Sequence, residues 1–122
     1  MWIYSQSSGL LTKDGIHVGY GYSGAEPDGK NNPAMEATPN VGPIPQGDWM
    51  ISGPPQDTKE HGPYVLKLDP KDGTFTFGRS GFLVHGDSLE SPGTASKGCI
   101  VANRIVRTRI WQSGDADLQV IP

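Results

Sequence analysis

Apolar and polar positions alternate with a period of two along most of this chain, in short runs broken by turn residues. Trp2 to Gln6 alternates bulky and polar side chains as a half-buried strand does. Leu10 to Thr12 follows a Ser-Ser-Gly turn, and Asp14-Gly15 then signals a hairpin, because the glycine supplies positive φ at low cost. The returning strand, Ile16 to Tyr22, sets Ile16, Val18, Tyr20 and Tyr22 on one face and His17, Gly19 and Gly21 on the other. Gly47 to Ile51 reads as a short strand ended by Gly53-Pro54-Pro55. Tyr64 to Leu68, Thr74 to Phe77, Gly81 to His85, Cys99 to Val101 and Leu118 to Ile121 read as further strands, with Asp72-Gly73 as a turn.

One segment departs from that period. Asn103 is placed to cap a helix over Arg104 to Gln112, stopped by Ser113-Gly114. Its apolar side would be Ile105, Val106, Ile110 and Trp111, with Arg104, Arg107 and Arg109 mostly in water. About eight short strands and a single short helix near the C-terminus predict a mainly β fold, a sandwich or barrel. The 122 residues are expected to form one domain, 1–122.

Composition narrows the functional classes. The net charge of −3 lacks the basic excess of a phosphate-tracking surface, so nucleic acid is not an expected partner. No apolar run approaches the roughly 20 residues of a spanning helix, so membrane insertion is not expected. The 17 glycines and 11 prolines are spread between apolar runs, which makes them turn punctuation rather than a low-complexity tail. The stretch 23–46 is long for a loop in a compact domain, and loops of that length are usually functional or disordered. The opening MWIYSQSSGLL has neither a basic segment nor a long apolar one, so it does not read as a secretory signal.

The single cysteine, Cys99, cannot form an internal disulfide. His85 lies 14 positions before it, at the end of a predicted strand. A thiol is mostly protonated at neutral pH, and a histidine within reach can take its proton and return it to a leaving group. Gly98 permits a sharp turn and close approach of a substrate to the backbone, and amides around Gly98 and Cys99 are candidates to face an oxyanion. Ser96 can bond across that turn or to substrate, and Lys97 either favours thiolate or is simply solvated. Asp87 either orients the His85 ring or folds back on its own turn. A buried, inert cysteine remains the alternative reading of Cys99. The three histidines and Cys99 lack metal-ligand spacing, so no metal is expected.

His85-Gly86 followed by Ser96-Lys97-Gly98-Cys99-Ile100 resembles the H-G…[S/T]-x-G-C-[I/V] signature of the L,D-transpeptidase (YkuD-type) catalytic domain. Gly42-Pro43-Ile44-Pro45-Gln46-Gly47-Asp48-Trp49 is similar to that family's T-P-x-G-x-[F/Y] run. The opening residues, NNPAMEATPNVGPIPQG, HGPYVLKL and GRSGFLVHGDSLESPGTASKGCI resemble one branch more narrowly, the DUF2778-type, type VI secretion L,D-transpeptidase effector family.

The resemblance implies cysteine-dependent acyl transfer on peptidoglycan tetrapeptide stems, as L,D-carboxypeptidase, D-amino-acid exchange or cross-linking. Cys99 would be the nucleophile and His85 the base and acid, with Gly98 and Ser96 supporting, and no cofactor. The family's arginine two residues after the nucleophile is replaced here by Val101. Arg79 is the candidate substitute, with Gly86, Asp87 and Asn40 as further substrate contacts; Asn32, Glu36 and Asn40 would wall the groove or serve only structure. The resemblance also implies a protein made in the cytoplasm and delivered without an N-terminal signal to a rival's periplasm. It would be paired with an immunity protein and with components of the type VI apparatus. Cysteine peptidases that place Cys before His fit less well. The main rival is a non-catalytic wall-binding or phage structural module on the same fold, with Cys99 vestigial.

Overall fold

A computed structural model describes residues 1–122. The strands are β1 (Trp2–Ser5), β2 (Leu10–Lys13), β3 (Ile16–Tyr20), β4 (Tyr22–Ser23), β5 (Gly47–Thr58), β6 (Gly62–Pro70), β7 (Leu83–His85), β8 (Ile100–Val101) and β9 (Asp117–Ile121). Helix α1 spans Arg104–Gln112, between β8 and β9. All nine strands join one sheet in the order β3-β2-β1-β9-β5-β6-β7-β8-β4.

That order forces a rolled sheet. β3 and β4 are separated only by Gly21, yet they form the two ends of the strand order. A flat sheet would put those ends far apart, at ~4.8 Å per strand. The sheet therefore curls into a nearly closed barrel with Gly21 at the seam. Gly21 N–H donates to Gly9 O at 2.8 Å, and a Cβ at Gly21 would stand 2.4 Å from Val101 O, so only glycine fits there. The predicted mainly β fold with one C-terminal helix is observed.

The barrel encloses a core of 16 residues that includes Trp2, Tyr4, Leu11, Trp49, Leu66, Leu68, Val84, Ile100, Val106 and Ile110. Asn103 caps α1, its Oδ1 accepting from Val106 N–H at 2.9 Å. The inward side of the helix differs from its apolar count: Val106, Arg107 and Ile110 are buried, while Ile105 is 69% exposed. Arg107 is not solvated, because its guanidinium reaches three carbonyls, Tyr64 O (2.9 Å), Ala102 O (2.6 Å) and Pro63 O (3.1 Å).

Two further expectations are corrected. β5 does not stop at Gly53-Pro54-Pro55; the ladder with β6 shifts register between Ser52 and Gln56, and prolines without N–H sit in that irregularity. Thr74 to Phe77 is a loop with no partner strand, and Thr74 instead ties down β5 by accepting from Asp48 N–H (2.9 Å) and donating to Asp48 O (2.8 Å). Ile16 and Tyr20 of β3 are exposed. A Cβ at Gly19 would meet Val106 Cγ2 at 2.8 Å, so the strand passes close to the helix there, while Val18 packs against the core.

Candidate active site

β7 and β8 are parallel neighbours, with Val84 opposite Ile100 and His85 opposite Val101. Cys99 immediately precedes β8, so it stands beside Leu83, and His85 lies two residues further along the same face. Strand geometry puts the two Cα atoms about 8 Å apart. Val84 and Ile100 point into the core, so Cys99 and His85 share the outer face of the barrel.

The thiol is partly buried at the floor of a cleft of about 350 Å³, lined by Pro39, Asn40, His61, Arg79, Phe82 and Lys97 among others. The thiol donates to Gly81 O, with Sγ and the oxygen 3.7 Å apart. It makes no hydrogen bond with His85, consistent with catalytic pairs that tighten only when substrate arrives. Burial pushes the Cys99 thiol up, against the opposing pull of Leu83 N–H and the Arg79 charge. Generic alkylation of Cys99 should therefore be slow at pH 7, rise steadily with pH, and level off only above 9, the thiol's ordinary value. Stopped-time mass spectrometry over a pH series checks this.

His85 is 2% exposed. Its Nδ1 stands 2.8 Å from Gly86 O. A carbonyl only accepts, so Nδ1 carries the proton and the neutral ring keeps Nε2 as a free base. Burial lowers the His85 pKa; the Gly86 hydrogen bond opposes that, and the neighbouring His61 adds to it. The resting pair is thus neutral thiol and neutral imidazole, not a preformed ion pair.

His61, which lies just before β6, also belongs to the site. Its ring stacks on His85 with centroids 4.4 Å apart and planes at 26°. It lines both the Cys99 cleft and the adjoining groove that contains His85, Gly86, Asp87 and Arg107. The only sequence signal was its place in HGPYVLKL. His61→Ala should open the stack and remove a repelling charge, raising the His85 pKa. The acid limb of the pH–rate profile then moves to higher pH, while His61→Phe keeps the stack and moves it less.

The turn before β8 is locked by two hydroxyls. Buried Ser96 donates to Cys99 O (2.6 Å) and accepts from Gly24 N–H (2.9 Å) and Gly98 N–H (3.1 Å). Ser23 donates to Gly98 O (2.9 Å) and accepts from Ile44 N–H (2.9 Å). The sequence had left Ser23 at the start of a loop. Gly98 N–H is therefore engaged by Ser96 and is not free to face an oxyanion, a correction to its expected role. Its lack of a side chain is what matters: φ is +145°, and a Cβ would stand 2.5 Å from Arg79 Nη2. The Cys99 N–H has no partner within the protein.

Arg79 is not a free carboxylate receptor. It is 9% exposed, and its guanidinium donates to Glu36 O (2.5 Å), Pro43 O (2.8 Å), Gly42 O (2.9 Å) and Lys97 O (3.3 Å). It clamps the long loop onto the Cys99 turn. Asp87 does not orient His85. Its carboxylate accepts from Tyr22 OH (2.5 Å), Ser88 N–H (2.8 Å) and Gly93 N–H (3.0 Å), organising the loop after β7. Burial would raise its pKa, but these hydrogen bonds outweigh burial and the carboxyl sits below its ordinary value. Glu36 pins the loop through Gln6 and Gln46, and Asn32 caps the Pro33–Met35 turn. Asn40 stands on the rim of the Cys99 cleft, and Gly86 supplies the carbonyl that holds His85.

No curated protein matches the chain. The profile of the Tlde1 domain, the type VI secretion L,D-transpeptidase effector 1 domain, matches residues 17–118, from β3 through the first residues of β9 and across the whole site. The chain belongs to the Tlde1 domain family, that of type VI secretion effectors with L,D-transpeptidase-like activity.

Proposed function

We propose that Cys99 and His85 carry out acyl transfer on peptidoglycan tetrapeptide stems. The observation that carries this reading is the shared outer face of β7 and β8. There a solvent-reachable thiol shares a face with an imidazole about 8 Å away between Cα atoms, its tautomer fixed with Nε2 free. Nε2 takes the thiol proton as sulfur attacks the carbonyl between the third residue and the terminal D-alanine. The Cys99 N–H, which lacks an internal partner, is the candidate donor to the oxyanion. The tetrahedral intermediate collapses, the C–N bond breaks, and His85 returns the proton to the departing amine. A thioester on Cys99 remains. Water, deprotonated by His85, releases the tripeptide acid and regenerates the thiol; an amine acceptor instead gives exchange or a cross-link.

A producer of such an effector would require a cognate immunity protein, and the working compartment would be the periplasm of a target cell. The test is incubation with disaccharide-tetrapeptide followed by mass spectrometry. Loss of D-alanine, or its exchange for an added D-amino acid, supports the reading. Unchanged muropeptide with the folded protein favours a non-catalytic wall-binding module.

A further inference from the structure

Register carries the sheet's outer face well beyond the thiol. Ser52 pairs with Lys67 across β5 and β6, Lys67 with Leu83 across β6 and β7, and Leu83 neighbours Cys99. Ser52, Lys67, Leu83 and Cys99 thus form one transverse row on one face. Lys67 stands two strands from the nucleophile, about 10 Å between Cα atoms.

A cleft of about 420 Å³ lies along this row, between the β5–β6 hairpin and the Thr76–Leu83 segment. It shares Arg79, Ser80, Gly81 and Phe82 with the cleft of Cys99, so the two adjoin along that segment. Val65, Leu68 and Phe82 give it apolar lining, and Lys67, Asp69 and Ser52 give it a polar end. Val65 is 3% exposed yet stands outside the core cluster, so it is buried beneath this cleft. Asp69 accepts from Ser52 Oγ at 2.9 Å, which fixes the carboxylate. Lys67 Nζ is 3.6 Å from Asp69 Oδ1 and makes no hydrogen bond within the protein. The two side chains are 68% and 38% exposed. The pair is loose, and each charge keeps capacity for another partner.

We propose that this cleft is a subsite for a zwitterionic amino-acid head group, its carboxylate on Lys67 and its ammonium on Asp69, with methylenes along Val65 and Phe82. The proposal rests on the stem-peptide reading above. In that setting the head group belongs to the side chain of the stem's third residue, when that residue is diaminopimelate, whose far end carries both charges. A free D-amino acid acceptor presents the same chemistry.

The test compares three tetrapeptide donors whose third residue is diaminopimelate, diaminopimelate with its distal carboxyl amidated, or lysine. Wild-type protein should show kcat/KM about 10–100-fold higher for the first, the range of one charge-assisted hydrogen bond. Lys67→Ala should erase the difference between the first two donors, and Asp69→Asn should weaken all three, because each carries an ammonium. Melting curves confirm that both exposed-site variants fold. A second arm measures the KM of a free D-amino acid in exchange. An increase in Lys67→Ala with donor preference unchanged assigns the same head-group site to the acceptor. Equal kcat/KM for all donors in wild type, with unchanged acceptor KM in both variants, overturns the subsite while leaving the reaction intact. Wild-type protein that cleaves none of the donors overturns the stem-peptide reading, and the subsite with it.

Discussion

Cys99→Ala should abolish D-alanine release, with a loss of about 10⁴-fold or more, and His85→Ala should lower the rate by about 10²–10⁴-fold at pH 7. The two losses differ because the residues do different work. Without sulfur no thioester forms. Without imidazole the thiol remains but has no acceptor for its proton, and burial keeps it protonated at neutral pH. The His85→Ala rate should therefore climb with pH past 9, as hydroxide generates the thiolate directly. The wild-type rate should already be at its plateau near neutrality. Its acid limb lies below 6.5, because burial lowers the His85 pKa and keeps the ring neutral there. Initial rates across a pH series separate the two variants, and the double variant should be no slower than Cys99→Ala.

Arg79→Met should unfold or severely weaken the protein, by about 3–5 kcal/mol. Four main-chain carbonyls, of Glu36, Gly42, Pro43 and Lys97, take their hydrogen bonds from this one guanidinium. Removing it leaves buried acceptors without donors, each costing about 1–3 kcal/mol, with partial relief as water enters. Arg79→Lys does not rescue, because a single ammonium cannot span carbonyls that a planar fork reaches together. The clamp holds Lys97, next to Gly98 and Cys99, so the fraction that stays folded also loses activity. Urea unfolding midpoints, compared with an exposed-site control such as Lys97→Ala, test the stability claim.

The residues that made the fold legible are those whose signal is local. Asn103, Ser113-Gly114 and Asp14-Gly15 act within a few residues of themselves, and each appears where the sequence places it. Alternation found the strands, but it overreached at Thr74 to Phe77, where no strand lies alongside to pair. It stopped short at Gly53-Pro54-Pro55, because a two-stranded ladder tolerates an irregularity that a single chain cannot reveal.

The site divides in the same way. The His85 and Cys99 pair is visible because the residues around it resemble a family signature. Arg79 and Arg107 read as surface charges because their burial depends on carbonyls supplied by distant loops. His61 and Ser23 matter only through partners 24 and 75 positions away, His85 and Gly98. No period or turn signal encodes such contacts.

The most direct test is the mass of the protein itself, quenched in acid within the first turnover on disaccharide-tetrapeptide. A thioester mechanism predicts one added disaccharide-tripeptide per chain, mapped to Cys99, released by hydroxylamine and matched by an equal burst of D-alanine. D-Alanine release that persists in Cys99→Ala, or turnover by the wild type with no adduct on sulfur under any quench time, would contradict it.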